Sequence, residues 1–308
     1  MAASPKHSPN LEPACPRLIR TETDEFDDIP TLPADTLALL QDFQQSQSAR
    51  LAAFEKLKAR AGARFDSLDD AESHPSAEVD VDGEEERDGD DPLASMEIFT
   101  EDWNLSQFWY TDVTARTLCA FVIHPLVNVP LDLEGRPTPH PNYEELPDIS
   151  IAILSAPTVH QYLTRCILPL LPKPVQQKIH PVLFEHDVRF TVFGPNQFVH
   201  YDFNAPARIP EKMKSQFDAV IVDPPFLSAE CQVKTAITAR LLLSSEQGRR
   251  KIVVCTGQKV ADVILRTYRP YGVRCTKFRP EHRNGLQNEF RCFASGELDG
   301  VWTFEQEE

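Results

Sequence analysis

Ala219-Val220-Ile221-Val222-Asp223-Pro224-Pro225-Phe226 is the stretch on which the reading of this chain turns. Its first four residues are apolar, three of them β-branched, and form a run short enough for a strand buried on both faces. Two consecutive prolines then remove two backbone donors and hold the chain extended, so the strand stops at Asp223. The carbonyls of Asp223 and Pro224 are left without ladder partners at a strand's carboxyl end, where open α/β sheets place ligands. With the Asp223 carboxylate they can accept hydrogens from an amine, and Phe226 can wall the same pocket or face a cation. The same turn also ends strands that do nothing further.

Outward from this stretch the chain alternates strands and helices. Ile149 to Leu154 predicts a strand ending at Ser155-Ala156-Pro157, with a helix from Pro157 to Cys166. Val182 to Phe184 predicts a second strand closing on Glu185-His186-Asp187, and Phe198 to Tyr201 a short third. After the Asp-Pro-Pro-Phe strand come a helix from Glu230 to Leu243, a strand Ile252 to Cys255 and a helix from Gln258 to Thr267. Late strands are predicted over 273–278 and 289–294, with 301–304 as an extension. Such alternation argues for an α/β sheet with helices on both faces and a late antiparallel element.

The first hundred residues differ. They hold 23 acidic against nine basic residues, a net of −14, while 101–308 hold 24 against 22, a net of −2. Residues 1–31 read as a disordered tail, and 66–92, with thirteen acids and one arginine, as an acidic disordered linker. Between them, 32–65 read as an amphipathic helix with Leu37, Leu40, Phe43, Leu51, Phe54 and Leu57 at spacings of three, its stripe most simply covered by the main domain. Residues 98–308 form that domain, interrupted by a Pro-rich surface insertion over 126–147. The near-neutral domain lacks the basic excess of a phosphate-backbone binder. Seven cysteines without a CxxC pair suggest reduced, buried thiols, and nine histidines without a ligand-spaced cluster predict no metal. No apolar leader or spanning run is seen, so no membrane association is expected and the compartment reads as cytoplasmic or nuclear; a cytoplasmic location and a monomer are the expectations.

Six motifs occur in order: Gln107-Phe108-Trp109-Tyr110, Ser155-Ala156-Pro157-Thr158, Phe184 to Phe190 (Phe-Glu-His-Asp-Val-Arg-Phe), Tyr201-Asp202-Phe203-Asn204, Asp223 to Leu227, and Asn288 to Phe293. This set resembles the eukaryotic lysine methyltransferases of translation elongation factor 1-alpha, a family first labelled as N6-adenine-specific DNA methyltransferases. The resemblance implies a Rossmann-like class I fold with a mostly parallel seven-stranded sheet. It also implies S-adenosyl-L-methionine as cofactor and elongation factor 1-alpha as protein substrate, with no nucleic acid. An amino-methyltransferase acting on adenine or another nucleic-acid amine is the alternative, since the same turn would serve an exocyclic amine and Phe226 would stack on a flipped base.

On the same resemblance, Asp223, Pro224, Pro225 and Phe226 are the catalytic set. Ser155, Ala156 and Pro157 replace the usual glycine-rich cofactor loop. Glu185 is expected to bind the cofactor's ribose, with Asp187 close behind, and Asp202 to lie near the adenine edge. Trp109, in an aromatic triplet before a helix that Thr111 caps, is expected to cover the cofactor or shape the lysine channel, although any one ring of the triplet equally suits ordinary packing. Asn288 and Glu289 border the substrate channel or serve as a turn cap and ion pair. Cys231 and Cys255 read as buried rather than nucleophilic.

Overall fold

The computed structural model describes residues 34–73, 96–102, 105, 107–127, 146–246, 250–296 and 303–305. The tail 1–31, most of the acidic run and most of the Pro-rich insertion lie outside the described residues. The chain divides into two units, Met1–Gln47 and Ser48–Glu308. Helix α1 (Ala34–Ser73) contributes to both. In the first unit Leu37, Leu40 and Phe43 are exposed. In the second, Leu57 is only 4% exposed and Phe54 packs edge-on to Phe99 with ring centroids 6.0 Å apart, whereas Leu51 stays exposed. Coverage of the expected stripe within the second unit is therefore confined to Phe54 and Leu57. The helix also overruns its expected end, because residues 66–73, assigned to the acidic linker, are helical. A segment rich in Ala, Leu, Lys and Arg propagates cooperatively past the point where acids begin to dominate.

The rest is a seven-stranded sheet in the order β3-β2-β1-β4-β5-β7-β6. Helix α2 (Asp112–Val127) precedes β1 (Ile149–Leu154). Helix α3 (Pro157–Tyr162), which runs into a π-helical turn over Leu163–Ile167, and the short α4 (Lys173–Gln176) lead to β2 (Ile179–Glu185) and β3 (Phe198–His200). Next come β4 (Ala219–Val222), α5 (Ala229–Leu242), β5 (Lys251–Gly257) and α6 (Ala261–Thr267). Two late strands follow, β6 (Arg274–Cys275), shorter than expected, and β7 (Phe290–Ala294). Pairings from β3 through β5 are parallel, and β7 is antiparallel to both its neighbours.

Alternate strand residues feed two cores, which is why the strands read as largely apolar runs rather than as apolar and polar residues in alternation. Ile149, Ile151, Ile153, Ile221 and Val253 pack with α2 and α3 residues such as Leu118 and Val159. Ala152, Leu154, Val220, Val222 and Val254 pack with Ala236 and Leu242 of α5 and Ile264 of α6. Strand order reverses between β1 and β4, so the crevice for a ligand opens beyond their carboxyl ends. Among the described residues no helix is long and apolar enough to cross a membrane.

Candidate active site

Register sets the site. Leu154 is level with Phe184 on one side and Val222 on the other, Glu185 with His200, and Val222 with Val254. One residue further on, His200, Glu185, Ser155, Asp223 and Cys255 therefore form a row along the carboxyl edge, and Cys292 continues it opposite Cys255. Glu185 ends β2 and Asp223 directly follows β4, the two strands that flank β1, with Ser155 between them.

Ser155 has φ of +55°, the left-handed region that favours glycine. Its N–H still donates to the Phe184 carbonyl at 2.9 Å, so the ladder runs to the last residue before the chain turns. Pro157 then occupies the first turn of α3, where its missing donor costs nothing. The Asp223 N–H is held in the same way by the Leu154 carbonyl at 3.0 Å. Beyond the prolines, Gln232 Nε2 donates to the Phe226 carbonyl at 2.9 Å and Ser228 caps α5. A Cβ on Gly257 would meet Leu227 at 2.9 Å, so the turn lies directly against the end of β5.

These elements enclose a cavity of about 810 Å³, ample for a nucleoside-sized ligand. Of the residues expected from sequence, it is lined by Trp109, Ser155, Ala156, Pro157, Glu185, Asp202 and all four of Asp223 to Phe226. Phe226 is 41% exposed, with its ring 5.6 Å from that of Phe203 at the cavity's margin. Asp202 accepts from the Asn204 N–H at 2.8 Å, which folds the loop after β3 into the wall.

Glu185 is buried, and its three hydrogen bonds fall on one oxygen: Oε1 accepts from the His186 and Asp187 N–H groups at 2.8 and 3.2 Å and from Gln107 Nε2 at 3.5 Å. Oε2 therefore keeps its acceptor capacity for a ligand. Burial pushes its carboxyl up to about 7 against the pull of those donors. Asp187, expected beside it as a ribose ligand, does not line the cavity. Arg189 pairs with Asp187 Oδ2 at 2.6 Å, Gln107 Nε2 donates to the same oxygen at 3.1 Å, and the Arg189 N–H donates to Oδ1 at 2.9 Å. Both oxygens are used, which makes Asp187 a brace for the loop after β2.

Residues 107–110 line the cavity, and hydrogen bonds hold the described backbone around them. Trp109 Nε1 donates to the Phe99 carbonyl at 2.9 Å, and Glu101 accepts from the Trp109 N–H and from Asn284, each at 2.8 Å. The Arg283 N–H donates to the Trp109 carbonyl and the Thr111 N–H to the Glu281 carbonyl, at 2.8 and 2.9 Å. Thr111 caps α2 as expected, its Oγ1 accepting from the Thr114 N–H at 3.2 Å. Gln107 is fixed from its other side by Arg189, which donates to its Oε1 at 3.1 Å.

Asp223 is partly buried as a residue, yet burial of its carboxyl pushes it up to about 7; the nearby Tyr110 hydroxyl opposes the shift and Glu185 adds to it. Cys255, next in the row, is pushed far up by burial, so it supplies no thiolate. Sequence reasoning passed over His282 and the loop residues Leu286 and Gln287, which line the cavity with Asn288, while Glu289 turns away to pair with Arg291 at 2.6 Å. Burial lowers the His282 imidazole to about 4, and its ring lies 4.7 Å from that of Tyr110 and 4.5 Å from that of Phe290. Their signal is the length of the polar connection between two short antiparallel strands, which ordinary hairpins do not need. Among the described residues no group of three His, Cys, Asp or Glu is placed to hold a metal.

A family model described as Probable N6-adenine methyltransferase matches residues 101–298. The chain is 33% identical over 283 residues to the Saccharomyces cerevisiae Protein-lysine N-methyltransferase EFM5, a match covering 89% of this chain and 94% of that one. It is 33% identical over 273 residues to the Gallus gallus EEF1A lysine methyltransferase 1, covering 88% and 96%. The Homo sapiens protein of the same name is 34% identical over 212 residues, 67% of this chain and 80% of its own.

Proposed function

The chain belongs to the methyltransferase family described as Probable N6-adenine methyltransferase, and from that premise we propose that it transfers a methyl group from S-adenosyl-L-methionine to a lysine side chain of translation elongation factor 1-alpha. One observation carries the reading: Glu185 and the Asp223 to Phe226 turn open into a single cavity from strands flanking β1. A carboxylate for a ribose and an acceptor set for an amine then lie in one enclosure. The names of the relatives support lysine as the acceptor and elongation factor 1-alpha as its carrier.

The residues fit the cofactor's chemistry. Glu185 Oε2 is available to a diol, the left-handed Ser155 lets ligand and backbone approach closely, and Asp202 and Asn204 stand at the wall beyond β3. S-adenosylmethionine supplies an activated methyl on a sulfonium. Everything else falls to the chain: Trp109 and Phe108 cover the cavity, and Asp223 with the Pro224 carbonyl aims the nitrogen's lone pair. Such positioning provides much of the rate gain in an in-line transfer. The proton leaves the amine for water. An elongation-factor substrate suits a monomeric cytoplasmic enzyme.

The family's own description keeps adenine as the second reading. Purified protein, labelled S-adenosylmethionine and fractionated cell extract, with and without nuclease, separate the two. A labelled protein band that survives nuclease and maps to a lysine of elongation factor 1-alpha is expected. Label confined to nucleic acid overturns the reading.

A further inference from the structure

Tyr110 lines the cavity with its neighbours 107–109 and is only 1% exposed. Its hydroxyl has no hydrogen-bond partner. A buried hydroxyl left unpaired is costly, and phenylalanine would fill the same space without that cost. The ring has no freedom to seek a partner. It packs on His282 across a backbone bridge between the two residues, and the flanking Arg283-to-Trp109 and Thr111-to-Glu281 hydrogen bonds hold the backbone on either side. What the hydroxyl does face is the Asp223 carboxyl and the Cys255 thiol, near enough to act on their charge but outside hydrogen-bonding geometry.

We infer that Tyr110 is a positioning residue for Asp223: its hydroxyl takes one carboxylate oxygen when Asp223 ionises, leaving the other aimed at the incoming amine. This rests on the amine-transfer reading above. Burial and the neighbouring Asp223 and Cys255 hold the Tyr110 hydroxyl well above its ordinary pKa, so it is a donor at every working pH and never a competing anion. The groups facing Asp223 are Tyr110 from the stretch before α2, Glu185 from β2 and Cys255 from β5, with Cys292 of β7 beside the thiol. Of these, the Tyr110 hydroxyl alone favours the anion directly; Glu185 opposes it, and Cys255 is an un-ionised thiol. His282, whose ring lies 4.7 Å from that of Tyr110, is held neutral by burial and brings no charge.

The test is Tyr110→Phe, alone and on an Asp223→Asn background, read as kcat/KM against pH with the protein substrate. We expect the acid limb of the profile moved up by about one pH unit, which is a loss of about fivefold near pH 7 and about tenfold near pH 6. S-adenosylmethionine affinity should stay within about threefold, and Tm should not fall, since the change removes an unpaired buried group. On the Asp223→Asn background the second substitution should add less than about threefold. A wild-type acid limb with wild-type kcat/KM, an equal loss on both backgrounds, or a drop in Tm with no movement of the limb would each overturn the assignment. If the wild type methylates no lysine, the functional reading has failed rather than this one. A carboxyl-labelled NMR titration of Asp223 then still decides, because Tyr110→Phe must raise its midpoint.

Discussion

Replacing Glu185 by glutamine tests the cofactor end of the cavity with opposite effects on binding and stability. The glutamine carbonyl can keep the two backbone donors now on Oε1, at 2.8 and 3.2 Å, which turns the amide toward the ligand. Hydroxyls that donated to a carboxylate then meet a donor. Losing one charge-assisted bond costs about 1.5 to 3 kcal/mol, so S-adenosylmethionine affinity should fall on the order of 10- to 100-fold at about pH 8. The loss should shrink on acidification. With the carboxyl at about 7, only about a tenth of ligand-free wild type is ionised near pH 6, so its affinity drops about tenfold from pH 8 while the variant's does not. Taking the ratio of the two proteins cancels the cofactor's own titration.

Stability of the ligand-free protein should move the other way. Glu185 is raised in the folded state, so folded protein binds more protons than unfolded between about 4.5 and 7, and its contribution is lost as pH rises through that window. A displacement of that size is worth about 3 kcal/mol above pH 7, an upper figure since the denatured chain is not fully solvated. Glu185→Gln should therefore unfold at higher denaturant than wild type at about pH 8 and at a similar one near pH 4. Calorimetric titration and urea unfolding at several pH values provide both readings. A variant that binds cofactor within about threefold of wild type at pH 8 refutes the ribose assignment, and one no more stable there refutes the buried-charge argument.

Asp223→Ala should leave cofactor affinity nearly intact while methyl transfer to the protein substrate falls at least about tenfold, as one transition-state contact of about 1.4 kcal/mol requires; mass spectrometry of the treated substrate checks it. Arg189→Ala should strand the buried Asp187 carboxylate, lowering thermal stability and loosening Gln107 and Glu185, so that cofactor affinity drops by about threefold or more in a calorimetric titration. Deleting 74–92 should change cofactor affinity by less than about threefold, with complete loss in a folded variant counting against a spacer role.

How much of this was legible in sequence depends on how local its cause is. The strands around Ile149, Val182, Val220 and Val253 announce themselves because both faces are buried along most of their length, so apolar residues follow one another with little interruption. Once strand ends are known, parallel register puts Glu185 and Asp223 level with Ser155, and the site follows. Asp187 shows the limit. It shares a motif with Glu185, but its role is decided by Gln107, eighty residues away in sequence, and by the direction of the Arg189 side chain. Nor does any periodicity reveal that 281–283 pair with 109–111, which brings His282 into the cavity beside Tyr110. Helix α1 is half legible, since spacing predicts a stripe but not that only Phe54 and Leu57 of its second-unit part find cover.

The two raised carboxyls also decide who moves the proton. A lysine ammonium has an ordinary pKa of about 10.4, and Asp223 stands at about 7, so handing the proton to Asp223 is uphill by roughly 4 to 5 kcal/mol before any other effect. An arriving ammonium worsens that gap, since it draws Asp223 toward its anion and lowers the carboxyl further. Desolvation of the amine inside the cavity narrows the gap, whereas desolvation of the carboxyl is already contained in its value of about 7 and narrows it no further. Equilibrium proton transfer to Asp223 is therefore the weaker route. On the proposed amine-transfer reading, the carboxylate serves to hold the nitrogen in place while the proton leaves to water. On this account Asp223→Asn, which keeps an acceptor oxygen but no charge, should retain more activity than Asp223→Ala, a ranking that a general base would not produce.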